Sequence, residues 1–310
     1  MRNIFVKIIT QSAKTNKDIF LLTGDLGFKL FDEFKENCPQ RFLNMGVAEA
    51  NMIGVAAGLS LSGKNVYCYS IAPFTIMRPF EQVRIDICFQ NLNVKLLGGG
   101  TGLSYGLEGM THHTIEDFAI MNALPNMTVV APGDIKEAKA IAKESIKYSG
   151  PIYIRLPKQS NKSVYKNNPK IKIGKGEIVK HGKDICLVAT GSMLYTSKMV
   201  LDELEKQGVK ATLISMHTIK PIDKNLIKKI AKEYKAIFTI EEHSLIGGLG
   251  SCVAELLFES KYKGLFKKIA LPDKYSCYIG NLDYLYKKYK LDCKGILKQI
   301  QNIIYHDSKK

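Results

Sequence analysis

The 310-residue sequence has no tryptophan, and its seven cysteines (38, 68, 88, 186, 252, 277, 293) are scattered, without a C-x-x-C pair or clustering with histidine. That spacing argues against a disulfide framework and a zinc site, and fits reduced thiols in the cytoplasm. No window approaches the roughly 18–20 uncharged apolar residues that a membrane helix needs. The opening MRNIFVKIITQSAK lacks the continuous apolar core and small-residue cleavage site of a signal peptide, and reads as an amphipathic helix. The formal net charge of +16 raises nucleic acid as a partner. Yet the lysines are dispersed, often as pairs such as 228–229, 267–268 and 287–288, and no arginine-rich stripe or RNA-binding motif gathers them. A solvated lysine surface is the plainer reading, so neither nucleic acid nor membrane is expected as a partner.

What is present is an alternating pattern. The runs DIFLLTG, NVYCYS, NVKLLGGG, MTVVAP and PIYIRL are short, rich in β-branched and aromatic residues, and bounded by Gly, Pro or Asn. They read as strands of a parallel sheet buried on both faces. Helical stretches fall between them, at 48–61, about 76–89, 115–122 and 134–147, the last with Asp134 as N-cap and Glu137 three residues on. From Pro157 to about Lys170 the chain turns polar and basic, as a linker does. Alternation then resumes through DICLVATG, a helix over 193–207, VKATLIS, a helix near 223–232, KAIFTIEEH, a helix from about 249, KKIALP and a last helix over 292–305. Two α/β units in tandem follow, and 310 residues suffice for two cores of about 150 residues each.

Two segments stand out chemically. In MGVAEANMIGVAAGLSLSG (45–63) a carboxylate, Glu49, opens a helix whose surroundings are Gly, Ala, Val, Ile, Met and Leu, with only Asn51 for polar company around it. Burying an ionised carboxylate alone is costly, so Glu49 is either at the surface or has a partner. The second segment, GGGTGLSYGLEGMTHH (98–113), is too glycine-broken for a strand, and such loops bring side chains close to a ligand. By contrast, EEHSLIGGLGSCVAELL (241–257) is not a G-x-G-x-x-G dinucleotide loop, and no acidic residue follows at the expected distance.

Four blocks come in a fixed order: GVAEANMIGVAAGLSLSG (46–63), RPFEQVR (78–84), GLEGMTHHTIEDFAIMNALPNMTVVAPGD (106–134) and GPIYIRLPK (150–158). Their order and spacing resemble transketolase and its relatives among the thiamine-diphosphate enzymes. The resemblance covers the pyrimidine-binding and C-terminal domains of that family. It implies two three-layer α/β/α domains with mostly parallel sheets: a pyrimidine-binding domain over 1–160, a linker over 161–180, and a transketolase C-terminal domain over 181–310. That second domain would be structural or dimer-forming.

The resemblance also implies roles. Glu49 would be catalytic, holding N1′ of the cofactor's aminopyrimidine and favouring its reactive imine tautomer in a dry site. Asp25 and Leu26 in TGDLG would contact the cofactor. The aromatic that usually stacks on the pyrimidine falls on Ala72, so Phe74, with Phe80 behind it, is the stacking candidate. His112 would act catalytically near the reacting carbon of the sugar. His113 and Glu108 would support it, Glu108 replacing the usual aspartate. A phosphate-holding histidine is replaced by Gly100, and the partnering arginine by Lys158, with Arg155 nearby.

The G-D-G…N segment through which such enzymes hold Mg²⁺ and the diphosphate is missing; TGDLG lacks the second glycine and the later Asn. The expectation is therefore a companion subunit that holds the diphosphate and Mg²⁺. Two copies of each chain would form a heterotetramer, with self-association through both domains described above. The implied reaction moves a two-carbon ketol unit between a ketose (phosphate) and an aldose (phosphate). Two alternatives are the β-subunit of a 2-oxoacid dehydrogenase E1 component and a non-catalytic subunit that retains the fold.

Overall fold

The computed structural model describes residues 1–158 and 163–306. Its first sheet is built from β1 (Ile19–Thr23), β2 (Phe42–Asn44), β3 (Asn65–Ile71), β4 (Val94–Gly99), β5 (Thr128–Val130) and β6 (Ile152–Leu156). The second contains β7 (Glu177–Lys180), β8 (Ile185–Ala189), β9 (Ala211–Ser215), β11 (Ala236–Ser244) and β12 (Leu265–Leu271). Between β9 and β11 the chain crosses back, and β10 (Thr218–Lys220) joins the first sheet. The orders are β2-β1-β3-β4-β6-β5-β10 and β7-β9-β8-β11-β12. All neighbours pair in parallel except the two edge strands β10 and β7.

Every residue of β3, β4 and β6 is buried, which is why these runs read as continuous apolar stretches rather than alternating ones. Alternate residues feed opposite faces: Cys68, Leu96 and Tyr153 pack into one apolar cluster, Tyr67, Leu97 and Ile154 into the other. The first of these clusters continues into the second domain through Val188, Ile214 and Val253.

The helix at Ile135–Lys147 starts as expected, with the Glu137 N–H donating to Asp134 Oδ1 at 2.9 Å. The stretch expected as one helix over 76–89 is broken instead. It runs as Ala72–Ile76, then Phe80–Gln82, then a π-helix at Val83–Phe89. Pro79 explains the break, since it donates no N–H and pushes the preceding residue out of helical geometry. Residues 159–162 of the expected linker lie outside the described residues; further along it, Glu177–Lys180 forms the edge strand β7. Among the described residues no helix is long and apolar enough to cross a membrane.

Candidate active site

In the first sheet β1 is flanked by β2 on one side and β3 on the other, so the connections diverge there. Ligands of open α/β sheets settle at the carboxyl ends of the strands at such a point. Glu49 is placed in that crevice. It opens the helix Glu49–Leu61 after β2, beside Gly24, which follows β1, and Ser70 on β3. The side chain is buried, at 3% exposure. Ser70 Oγ donates to its Oε1 at 3.1 Å, and Arg78 Nη1 to its Oε2 at 3.1 Å. A side chain at position 24 would crowd it, since a Cβ there would lie 3.3 Å from Oε1.

A continuous line of side chains leads from Glu49. The Arg78 guanidinium lies 3.8 Å from the centre of the Phe74 ring. Phe74 meets His112 edge-on at 5.2 Å, and His112 meets Tyr105 at 5.5 Å. Lys158 Nζ sits 4.2 Å over the Tyr105 ring and donates to Glu108 Oε1 at 3.3 Å. Thr111 Oγ1 lies 2.9 Å from His112 Nδ1 and so orients the imidazole. A cavity of about 250 Å³ opens between Ser104, Glu108 and Lys158 on one side and Gly280–Leu282 of the second domain on the other. Another, of about 270 Å³, lies between Lys180, Glu205 and Lys210 and contains none of these residues.

Electrostatics follow from burial and pairing. Burial would raise the Glu108 carboxyl, but its own backbone N–H and Lys158 outweigh that and hold it below its ordinary value. His113 is buried, which lowers its pKa against the opposing pull of the Tyr105 backbone. Neither of its ring nitrogens makes a hydrogen bond of ordinary length and angle among the described residues.

The structure thus brings Glu49, Phe74, His112, Glu108 and Lys158 together. Asp25 and Leu26 follow Gly24 at the same sheet edge, where Asp25 is held at φ 55° and exchanges two hydrogen bonds with Asn44. Phe80 is not in the line; it packs against the apolar core. Arg155 is not there either. At 3% exposure its Nε donates to Asp117 Oδ2 at 2.7 Å and its Nη2 to the carbonyls of Thr114 and Glu242, so these donors are used inside the protein.

Three contributors went unrecognised in the sequence: Ser70, Arg78 and Tyr105. Arg78 was visible only as part of the RPFEQVR block. Tyr105 had a signal in Gly100, since a Cβ at that position would lie 1.9 Å from the Tyr105 ring. The ring fills the space that a histidine at 100 would need.

The residues present fit an aminopyrimidine. A planar cation already lies on the Phe74 face while hydrogen-bonding the buried carboxylate, and a flat ring with a protonatable nitrogen asks for the same two contacts. Among the described residues no group of three or more His, Cys, Asp or Glu side chains could hold a metal ion.

Comparison with known proteins identifies the family of the chain. The family model for the transketolase pyrimidine-binding domain matches residues 1–163, and that for the transketolase C-terminal domain matches residues 174–296. The chain is 36% identical over 303 residues to a putative transketolase C-terminal section of Methanocaldococcus jannaschii, covering 97% of this chain and 95% of that one. It is 34% identical over 299 residues to one subunit of the apulose-4-phosphate transketolase of Phocaeicola vulgatus, at 96% and 95% coverage. A solved split-gene transketolase, an inactive β4 tetramer, superposes with a TM-score of 0.87 at 36% identity, covering 97% of this chain and 96% of that one. The chain belongs to the transketolase family.

Proposed function

We propose that this chain is the pyrimidine-binding subunit of a split transketolase. It would transfer a two-carbon ketol unit from a ketose to an aldose together with a companion subunit. The carrying observation is Glu49: a buried carboxylate at the β1–β3 crevice, with the Phe74 ring set to cover a flat ligand bound to it.

When bound, thiamine diphosphate supplies the carbon nucleophile that breaks and re-forms the bond beside the sugar carbonyl. Glu49 would hold the ring nitrogen and favour the imine tautomer of the neighbouring amino group, while Ser70 keeps the carboxylate in place. Phe74 would cover the ring, and Asp25 and Leu26 would border it. His112, which touches Thr111, Phe74 and Tyr105, would hydrogen-bond or move a proton at a sugar oxygen. Glu108 and Lys158 would read the hydroxyls or phosphate further along the substrate, with buried His113 behind them.

The diphosphate and Mg²⁺ would be held mainly by the companion subunit, two copies of each chain forming the active assembly. Relatives named as a transketolase subunit and as a C-terminal section support a divided enzyme, as does a β4 tetramer described as inactive. A relative named for apulose 4-phosphate keeps phosphorylated sugars among the substrates. The scattered cysteines, all free, fit a reducing cytoplasm.

The test is ketol transfer by the reconstituted pair, with ¹³C-labelled xylulose 5-phosphate as donor and ribose 5-phosphate or unphosphorylated aldoses as acceptors. Glu49→Gln is expected to lower turnover by about 10²–10⁴-fold while leaving co-purification of the pair intact. Release of CO₂ from pyruvate or a branched oxoacid without ketol transfer would overturn the assignment in favour of an oxoacid dehydrogenase. Unchanged turnover in Glu49→Gln would leave only a scaffold.

A further inference from the structure

The loop bearing Glu108 and His112 is closed at its base. Gly102 and Thr114 exchange backbone hydrogen bonds, N to O at 3.0 Å and 2.9 Å. Both stems are then tied to the end of β11, in the other domain. On one stem the Leu103 N–H donates to Glu242 Oε1 at 2.8 Å. On the other, the Ser244 N–H donates to the Ile115 carbonyl at 2.8 Å, and Arg155 Nη2 bridges the carbonyls of Thr114 and Glu242.

Glu242 is 1% exposed, and its second oxygen accepts from Ser192 Oγ. The approach is so close that a Cβ at Gly102 would lie 2.3 Å from the Glu242 carboxyl carbon; position 102 also has φ +63°, a conformation that favours glycine. A buried carboxyl oxygen aimed at one backbone N–H fixes that peptide in place, because a hydrogen bond out of water is strong and directional.

We infer that Glu242 is a positioning residue: through Leu103 it sets where the loop presents Glu108 and His112 to the sugar, giving the second domain a direct part in catalysis. The roles of Glu108 and His112 rest on the transketolase reading above; the tie between Glu242 and the loop does not.

Glu242→Ala in the reconstituted pair separates positioning from general damage. Loss of the buried acceptor for the Leu103 N–H is expected to raise the sugar KM and lower kcat/KM by about ten-fold. Hydrogen exchange of the amides at 102–114 should quicken. Thiamine diphosphate affinity should stay within about two-fold, because Glu49 and Phe74 stand on other elements. Glu242→Gln, which keeps an acceptor oxygen in reach of Leu103, should restore most of the activity and the slow exchange.

Unchanged exchange at 102–114 in Glu242→Ala would overturn the inference, as would a fall in cofactor affinity parallel to the fall in kcat/KM. If Glu242→Ala fails to assemble, Glu242→Asp withdraws the carboxylate by one methylene and is judged by the same readouts. If the wild-type pair transfers no ketol unit, the functional reading fails, and loop exchange alone decides the role of Glu242.

Discussion

Arg155 and Lys158 are three residues apart, and in the sequence they compete for one task, gripping a substrate phosphate. In the structure they do different work. Arg155 is buried against Asp117 and two carbonyls, whereas the Lys158–Glu108 pair is partly exposed beside the cavity. Breaking a buried pair strands the remaining charge, so Arg155→Met should destabilise the chain by about 3–5 kcal/mol, read from urea unfolding. Lys158→Met should leave unfolding nearly unchanged, since exposed pairs contribute about 0–1 kcal/mol, and should raise the sugar KM about ten-fold. If instead Arg155→Met folds normally and only KM moves, the interior role given to Arg155 is wrong. Both cations are legible in GPIYIRLPK; what decided between them was that Arg155 lies within β6, buried throughout, on the side facing Asp117 38 positions earlier, whereas Lys158 lies beyond the strand's end.

At the scale of elements, the start of the helix Ile135–Lys147 is tied to Val164 and Tyr165. Glu137, in its first turn, accepts from the Gly133 N–H at 2.6 Å and from Tyr165 OH at 2.5 Å, while Asp134 accepts from the Val164 N–H. Burial raises the Glu137 carboxyl from 4.5 to about 7. The folded protein therefore binds a proton there that the unfolded chain has released between those values. Stability from this group is complete below about pH 4.5 and is lost as pH rises through about 7. Glu137→Gln should remove that slope, worth on the order of 3 kcal/mol if the full shift holds, in urea midpoints compared between pH 5 and pH 8. An identical slope in the variant would mean that Glu137 is ionised in the fold. The helix itself, its N-cap and the strands around it were legible because period and capping are local signals. The strands β2, β7 and β10 and the helices Asp32–Asn37 and Leu282–Lys288 were not. They are short or lie at sheet edges, and they form because of what packs beside them. The glutamate of the site was readable from its contrast with an apolar helix; Tyr105 and Arg78 were not, because their place depends on how two loops meet.

At the scale of the molecule, the helix that begins with Glu49 is largely apolar, yet one side of it is bare. Ala50, Gly54, Gly58 and Leu61 line an exposed face beside exposed Asn51, and a Cβ built at either glycine meets nothing within 4 Å. A largely apolar helix belongs in an interior, and small residues let another backbone approach closely. Gly58→Arg should leave the thermal midpoint of the chain unchanged and disrupt its association, with the companion subunit or with itself, in sedimentation velocity. An unaltered sedimentation profile would show that this face stays in solvent. Inside the chain, the union of the two halves is settled by β10: three residues from the later half complete the sheet of the earlier one, hydrogen-bonded to β5. Neither half can swing away without stripping a strand from its neighbour. Any opening between the halves would therefore have to break the β10–β5 pairing first.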